Sequence, residues 1–416
     1  MKIAIINQPW NPFPPENASS IAIWNHEVAQ RLVQYSDVHV YAGKDKIDTS
    51  KVSVQGIKIH GISTLWDRKL YHFFNFLNRG FNKVLPFFAC RLYYGKYITR
   101  IAHDLQKQHC DIVHIPNFSQ FVPIIRKYNP DIKIVLHMHC EWLTQLDARV
   151  IRNRLRQVDL IVGCSEYISS KIRNRFPEYA EKCVTVYNGV TIEEAGKIFD
   201  KGGIAKNGSV QLLFVGRLTP EKGVHVLIDA CKILSKRIKN LYCNIVGPEA
   251  VTPKEFIVGL NHDNGISDLD SFYSKSYLSI LKERVAAHKL DGIEFTGLVP
   301  HQRIRSYYEE ADILVNPSFS ESFGMSLVEA MAGSVPVVAT KVGGMTEIVD
   351  DEITGKTVKP GDANELADAI YAIASDKKKA LKMGKAGREK AVGRFSWDVI
   401  ARKLYDHYEK VLGAHG

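Results

Sequence analysis

Ile313-Leu-Val-Asn-Pro-Ser-Phe-Ser-Glu-Ser-Phe-Gly-Met-Ser-Leu-Val-Glu-Ala-Met-Ala-Gly-Ser-Val-Pro-Val-Val-Ala-Thr340 carries a strand-like run at each end and a helix-like run between them. Short Ile/Val-rich runs bracketing an amphipathic segment predict parallel strands joined by a crossover helix. Phe323-Gly324 should open that helix, and a helix N-terminus attracts anions. Glu321 stands just before this anion site. A carboxylate there costs electrostatic energy unless the ligand also offers hydroxyls or developing positive charge. A sugar linked to phosphate offers both.

The same alternation fills the rest of the chain. Strands are expected at residues 2–7, 38–42, 112–115, 132–137, 160–164 and 183–187, and again at 211–215, 242–246, 293–296, 313–316 and 335–339. Helices are expected at 21–34, 224–235, 277–288 and 326–332. The pattern starts afresh near residue 210, after the Gly-rich, polar stretch Lys201-Gly-Gly-Ile-Ala-Lys-Asn-Gly208, which suits a linker. The fold class is therefore α/β, with two doubly wound parallel-sheet domains. Such domains would face each other across a cleft at the carboxyl ends of their strands.

With 416 residues the chain is long enough for two or three domains, and 45% apolar with 24% charged residues is a globular composition. No apolar run approaches the roughly 20 residues of a membrane helix. Met1-Lys-Ile-Ala-Ile-Ile-Asn7 reads as a first buried strand and not as a signal peptide. Seven scattered cysteines without a Cys-x-x-Cys motif predict reduced thiols in a cytoplasmic protein, with neither a disulfide framework nor a zinc site. The net charge of +10 is uneven: residues 1–200 hold 26 Lys/Arg against 18 Asp/Glu, and the remainder 29 against 27. The basic half calls for an anionic partner, such as a membrane surface or a phosphate-bearing acceptor. No recognition motif for nucleic acid accompanies the charge, so no nucleic-acid partner is expected.

Leu213-Phe-Val-Gly-Arg-Leu-Thr-Pro-Glu-Lys-Gly-Val224 places two cations just beyond a strand end. Gly216 allows a close approach of backbone to ligand, and Arg217 and Lys222 suit a diphosphate. Taken alone, the pair reads equally as solvated surface charge. In the same domain as Glu321 and Glu329, it reads as a binding site.

Together, Val215-Gly-Arg-Leu-x-x-Glu-Lys-Gly, Glu321-x7-Glu329, Glu329-Ala-Met-Ala-Gly-x-Val-Pro-Val-Val-Ala-Thr and Gly343-Gly344 resemble the signatures of the large family-4 retaining glycosyltransferases. That resemblance implies the GT-B fold: an acceptor-side Rossmann-like domain at 1–200, a domain binding the nucleotide sugar at 201–392, and a C-terminal helix at 393–416 that crosses back. Phe395-Ser-Trp-Asp-Val-Ile-Ala-Arg-Lys-Leu-Tyr-Asp-His-Tyr-Glu409 matches the last element. The resemblance also implies roles. Arg217 and Lys222 would neutralise the departing diphosphate, so that no metal is needed and none is expected. Backbone N–H groups around Phe323, Gly324 and Met325 would cap the distal phosphate. Glu321 would contact the transferred sugar and Glu329 the ribose hydroxyls. Asn188, in Asn188-Gly-Val, would approach the donor. His139 matches the family's histidine, with His137 where Thr is common. His137 and Glu141 remain secondary candidates. The alternative for a single His is structural packing.

Three further stretches have competing readings. Ser19-Ser20 occupy the place of the family's Gly-Gly; a serine can cap the following helix, but its side chain narrows the approach of a phosphate to the backbone. Asp268-Leu-Asp270 has a metal-binding form but lies in a polar insertion at 248–276, where a solvated loop is expected. Residues 66–100 are aromatic and basic, with seven Lys/Arg and one acid, Asp67. They suit a surface meeting anionic lipid or a lipid-linked acceptor, or else a helix core with a solvated cationic face. The expected function is transfer of a sugar from a nucleoside diphosphate sugar, with retention, to a glycan, lipid-linked or small-molecule acceptor. A nucleotide-sugar epimerase or a non-catalytic relative are the alternatives.

Overall fold

Strands rich in Ile, Val and Leu bury both faces, so they need partners on each side and helices above and below. The computed structural model describes residues 1–15, 19–47, 56–70, 86–192, 209–250 and 265–413. The chain divides into two compact units: Met1–Asn188 with Trp397–Gly416, and Gly189–Ser396. The expected linker at 201–208 and the expected boundary at 200 lie outside the described residues.

In the first unit a seven-stranded parallel sheet runs β3-β2-β1-β4-β5-β6-β7. Its strands are β1 (Lys2–Ile6), β2 (Asp37–Gly43), β3 (Ile57–Ile62), β4 (Ile112–Pro116), β5 (Lys133–Met138), β6 (Leu160–Gly163) and β7 (Cys183–Thr185). The helix Ser20–Leu32 follows β1 and starts at Ser19, whose side chain accepts from the Ala22 N–H. It buries Ala22, Trp24, Asn25, Val28, Ala29 and Leu32. Against it packs the helix Trp397–Gly413, which buries Trp397, Ile400, Ala401, Leu404 and Tyr408 at helical spacing. Arg31 of the first helix pairs with Asp398 of the second at 2.6 Å.

The second unit holds a six-stranded parallel sheet in the order β10-β9-β8-β11-β12-β13. These are β8 (Ser209–Val215), β9 (Asn240–Val246), β10 (Ile293–Gly297), β11 (Ile313–Asn316), β12 (Val337–Thr340) and β13 (Gly355–Val358). The helices Val224–Leu234 and Ala363–Ala374 pack together over its core. The helix Lys377–Phe395 lies along the helix Met325–Ala332. It ends at Ser396, whose extended backbone separates it from Trp397–Gly413. The terminal segment expected as one helix from 393 is thus the end of one helix and the whole of another.

In both sheets the strand order reverses at a central pair, β1/β4 in the first and β8/β11 in the second. Open parallel sheets bind ligands beyond the strand ends at such a switch point. Two strands escaped the sequence reading. β3 is an edge strand whose Lys58, His60 and Gly61 interrupt the apolar run, and β13 reads Gly-Lys-Thr-Val with no apolar run at all.

Candidate active site

At the switch point of the second sheet the loops after β8 and β11 interlock. The Phe319 N–H donates to the Glu221 carbonyl at 2.7 Å, and Gly223 packs its α-carbon against the Pro317 carbonyl. Gly223 has φ +68°, and a β-carbon there would stand 2.1 Å from that carbonyl oxygen. Only glycine meets both demands without strain. Lys222, carried between these contacts, donates its Nζ to Glu321 Oε2 at 2.6 Å. The two side chains are only 17% and 18% exposed. Sequence reading singled out both residues; the structure brings them into one ion pair.

The remaining candidates of this unit surround the pair. Gly216 donates its N–H to the Val246 carbonyl, which holds the β8 end against β9. Arg217 follows it and is exposed. Gly324 has φ +115° and opens the helix Met325–Ala332, which no side chain caps. The Glu321 carbonyl accepts from the Gly344 N–H at 3.0 Å, fixing the turn before that helix. The Phe323 side chain is buried edge-on against Phe395 at 5.7 Å, so its role toward a ligand is confined to its backbone. Met325 begins the helix and Glu329 stands on its second turn. Glu329 Oε2 accepts from the buried Tyr308 hydroxyl at 2.5 Å, which fixes the carboxylate and leaves Oε1 for another donor. Burial, with Glu329 beside it, pushes the Tyr308 hydroxyl well above its ordinary pKa and keeps it protonated. The buried Glu221, which accepts from Thr219 Oγ1 at 2.6 Å, stands in the quoted signature but was given no role there. Tyr308 was not singled out from sequence, since no spacing distinguishes it from a core tyrosine.

His139 and Asn188 lie in the first unit, beyond the ends of β5 and β7. The His139 N–H donates to Asn117 Oδ1 at 2.7 Å. The Asn188 side chain stands close enough to the His139 ring to act on it, although neither ring nitrogen nor Asn188 Oδ1 meets full hydrogen-bond geometry among the described residues. Burial lowers the pKa of His139 to about 3, with Asn188 acting in the opposite sense, so the ring is neutral at neutral pH. His137 packs against it, ring centroids 4.1 Å apart, and reaches His114 through its Nδ1. Trp24 stacks on His114 at 4.9 Å. Glu141 is tied down: it accepts from Lys171 at 2.6 Å and from the Tyr167 hydroxyl at 2.8 Å. Ser165 caps the helix Glu166–Arg175, accepting from the Ile168 N–H. His114 gave no sequence signal, because a single His inside a strand has none.

The two ambiguous stretches resolve in part. Asp268 and Asp270 are exposed on a short 3-10 turn, either side of the buried Leu269. Within the aromatic-basic stretch, residues 71–85 lie outside the described residues. Beyond them, Phe87, Tyr94 and Tyr97 are core, and Tyr97 donates its hydroxyl to the Asn7 carbonyl at 3.0 Å. The single acid, Asp67, is buried and accepts from the backbone N–H groups of Lys96 and Tyr97, at the start of the helix Gly95–Gln108. Trp66 remains 57% exposed, with the Lys69 and Lys96 ammonium groups 5.3 and 4.5 Å from its ring centre.

Two Rossmann-like units in one chain, each a parallel sheet reversing at its centre, define the GT-B class of glycosyltransferases. The chain matches the model of glycosyl transferases group 1 over residues 197–390 and that of glycosyltransferase family 4 over residues 22–194. It belongs to this family of glycosyltransferases. It is 24% identical over 427 residues to spore coat protein SA of Bacillus subtilis (strain 168), covering 99% of this chain and 100% of that protein. It is 26% identical over 415 residues to the lipopolysaccharide 1,2-N-acetylglucosaminetransferase of Salmonella typhimurium, covering 97% of each. The crystal structure of Anabaena HepE in complex with UDP and glucose shares the fold, with TM-score 0.69, 19% identity and coverage of 98% of this chain and 99% of that one. Among the described residues, no helix is long and apolar enough to cross a membrane.

Proposed function

We propose that the protein transfers a sugar from a nucleoside diphosphate sugar to a glycan, lipid-linked or small-molecule acceptor, with retention at the anomeric carbon and without a metal ion. The observation that carries this reading is the Lys222–Glu321 pair at the switch point of the second sheet. A cation and a carboxylate held 2.6 Å apart give a ligand a phosphate contact and a sugar contact side by side. Arg217 and Lys222 stabilise the departing diphosphate, a role that preorganised cations perform without a Lewis acid. The helix start at Gly324 and Met325, with the backbone of Phe323, receives the distal phosphate. Glu321 hydrogen-bonds the transferred sugar and favours positive charge as it develops at the anomeric carbon. Glu329, held by Tyr308, takes the ribose hydroxyls through its remaining oxygen. In the first unit, His139 is neutral and serves by hydrogen bonding, not as a cation, with Asn188 beside it.

The bond from the anomeric carbon to the diphosphate breaks as the acceptor oxygen attacks on the same face through an ion-pair state. The acceptor proton passes to the leaving phosphate oxygen. UDP is the first donor base to screen, since HepE was solved with UDP. A nucleoside diphosphate at a hundred times its dissociation constant should stabilise the parent by about 2.7 kcal/mol, read as a thermal shift. Lys222→Ala should lose most of that shift. Glu321→Ala should keep it while turnover falls by roughly 100-fold or more. Activity should persist in chelator, require an acceptor, and give product of unchanged anomeric configuration by NMR. Inverted product would refute retention, and parental turnover by Glu321→Ala would refute the site.

A lipid-linked acceptor is favoured by the exposed Trp66 with the ammonium groups of Lys69 and Lys96 over its ring. Aromatic and basic side chains together suit the headgroup layer of an anionic membrane. Co-sedimentation with phosphatidylglycerol vesicles should exceed that with phosphatidylcholine vesicles and should drop in Trp66→Ala. Equal binding to both vesicle types would count against this contact.

A further inference from the structure

Sequence alone makes the polar insertion between β9 and the helix Tyr277–His288 a solvated loop. Both of its described ends are instead fastened to the loop that carries Arg217 and Lys222. At the start, the Leu218 N–H donates to the Pro248 carbonyl at 2.9 Å, and the Ala250 N–H donates to the Leu218 carbonyl at 3.4 Å. Glu249 ties this start to the end of the insertion, accepting from Ser276 Oγ at 2.8 Å and from the Leu278 N–H at 3.2 Å. Residues 251–264 lie outside the described residues. From Gly265 onward the chain buries Ile266 and Leu269 and packs its turn Ser267–Tyr273 on the turn Pro220–Lys222.

Three rings complete the attachment. Phe272 of the insertion lies over His225, with centroids 4.2 Å and planes 30° apart. His225 in turn lies parallel to Phe319 at 5.6 Å, with 12° between the planes. His225 stands three residues after Lys222 and Phe319 two before Glu321, so the stack spans the two loops that hold the ion pair. Gly265 of the insertion and Gly361, beyond β13, flank the Phe319 ring; a β-carbon on them would stand 3.5 and 3.3 Å from it. Behind the stack, Tyr277 Oη accepts from the His225 N–H at 3.3 Å. That bond caps the helix Val224–Leu234, whose preceding residue, Gly223, has no side chain to do so.

A lysine carries its charge on a flexible four-carbon stem, so its head is placed only as well as the backbone beneath it. Lys222 ends a turn of three residues, whose shape depends on what packs against it. Stacked rings attract beyond the area they bury, and only at the right separation. We propose that the ordered end of the insertion braces the donor site. Phe272, His225 and Phe319 are positioning residues, a ring stack that holds the Lys222 loop at a fixed distance from the Glu321 loop. The proposal rests on reading the Lys222–Glu321 pair as the contact for diphosphate and sugar. The rings act through Lys222 and need no contact with the donor.

Phe272→Ala removes the outermost ring, which is only half-buried. Amide hydrogen exchange should then quicken at Lys222, Gly223 and Phe319, whose N–H groups bond the carbonyls of Thr219, Pro220 and Glu221. Exchange along β8 and β11 should stay parental. Parental protection at those three amides in the folded variant overturns the proposal. Dissociation constants for UDP, GDP, ADP and dTDP, from ligand-observed NMR, give a second readout. The tightest of the four should bind about tenfold more weakly to Phe272→Ala, and Phe272→Tyr, which keeps the ring, should restore the parental value. In a Lys222→Ala background the same Phe272→Ala change should cost less than about twofold, because the group it positions is gone. An equal cost in both backgrounds overturns the proposal, since the ring would then support the domain at large. If Phe272→Ala does not fold, Phe272→Leu, which keeps bulk without the ring, is read in its place. A parent that binds none of the four nucleotides refutes the donor-site reading, and amide exchange then decides the ring stack by itself.

Discussion

Acid acts first on single imidazoles. Burial holds His114, His139 and, in the second unit, His225 to about 3, and it lowers His137 well below the ordinary value. Each is neutral in the folded protein at a pH where it would be protonated once unfolded. Below about pH 6.5 the unfolded chain therefore binds more protons than the native one, and stability falls. The stabilisation is complete above that pH and is lost progressively toward pH 3, at about 1.4 kcal/mol per pH unit for each histidine. The urea midpoint should drop steeply between pH 7 and pH 5, and His225→Asn should flatten part of the drop. A midpoint constant over that interval would contradict the burial argument. At this scale the motifs picked out Arg217, Lys222, Glu321, Glu329 and His139 as candidates. Their pairings were not legible: Tyr308 lies 21 residues from Glu329, and Lys222 lies 99 from Glu321. Pairing over such separations is decided by strand order, which no local pattern states.

The loop between β8 and the helix Val224–Leu234 works as one element. Its shape depends on Gly223, where φ is +68° and the Pro317 carbonyl fills the space of a side chain. Gly223→Ala must push the two loops apart. The expected cost is about 1–3 kcal/mol for the backbone strain alone, seen as a lower urea midpoint. The thermal shift by nucleoside diphosphate should fall with it, because Lys222 precedes the displaced residue. A variant with parental stability and parental shift would show that the loops are not locked. Elements with continuous apolar runs, such as β1, β6 and β11, were legible because burial on both faces demands them. β3 and β13 were not, since edge strands tolerate the Lys, His, Gly and Thr found there. The aromatics of 87–97 read ambiguously for a related reason: ring packing against Trp10 and Phe118 is a tertiary fact, and composition alone cannot separate core from surface.

Across the whole molecule, two doubly wound parallel sheets were legible from the alternation of strands and helices plus a restart near residue 210; their strand order was not. The family signatures pointed to the second sheet as the donor side. The helix Trp397–Gly413, by contrast, contributes to the interior of the first unit, where Tyr408 meets His114 across 294 residues of chain. That contact has a temporal side. A ribosome adds about 5–20 residues per second, and domains generally fold in the order they emerge. The first unit has all its strands early, yet its buried histidines wait roughly 15–60 s for the Tyr408 hydroxyl that meets His114. Until then Trp24, His114 and His137 surround an open slot in place of Tyr408. The first unit is thus begun first and finished last, and every nascent chain passes through an interval in which its polar core is built but not closed.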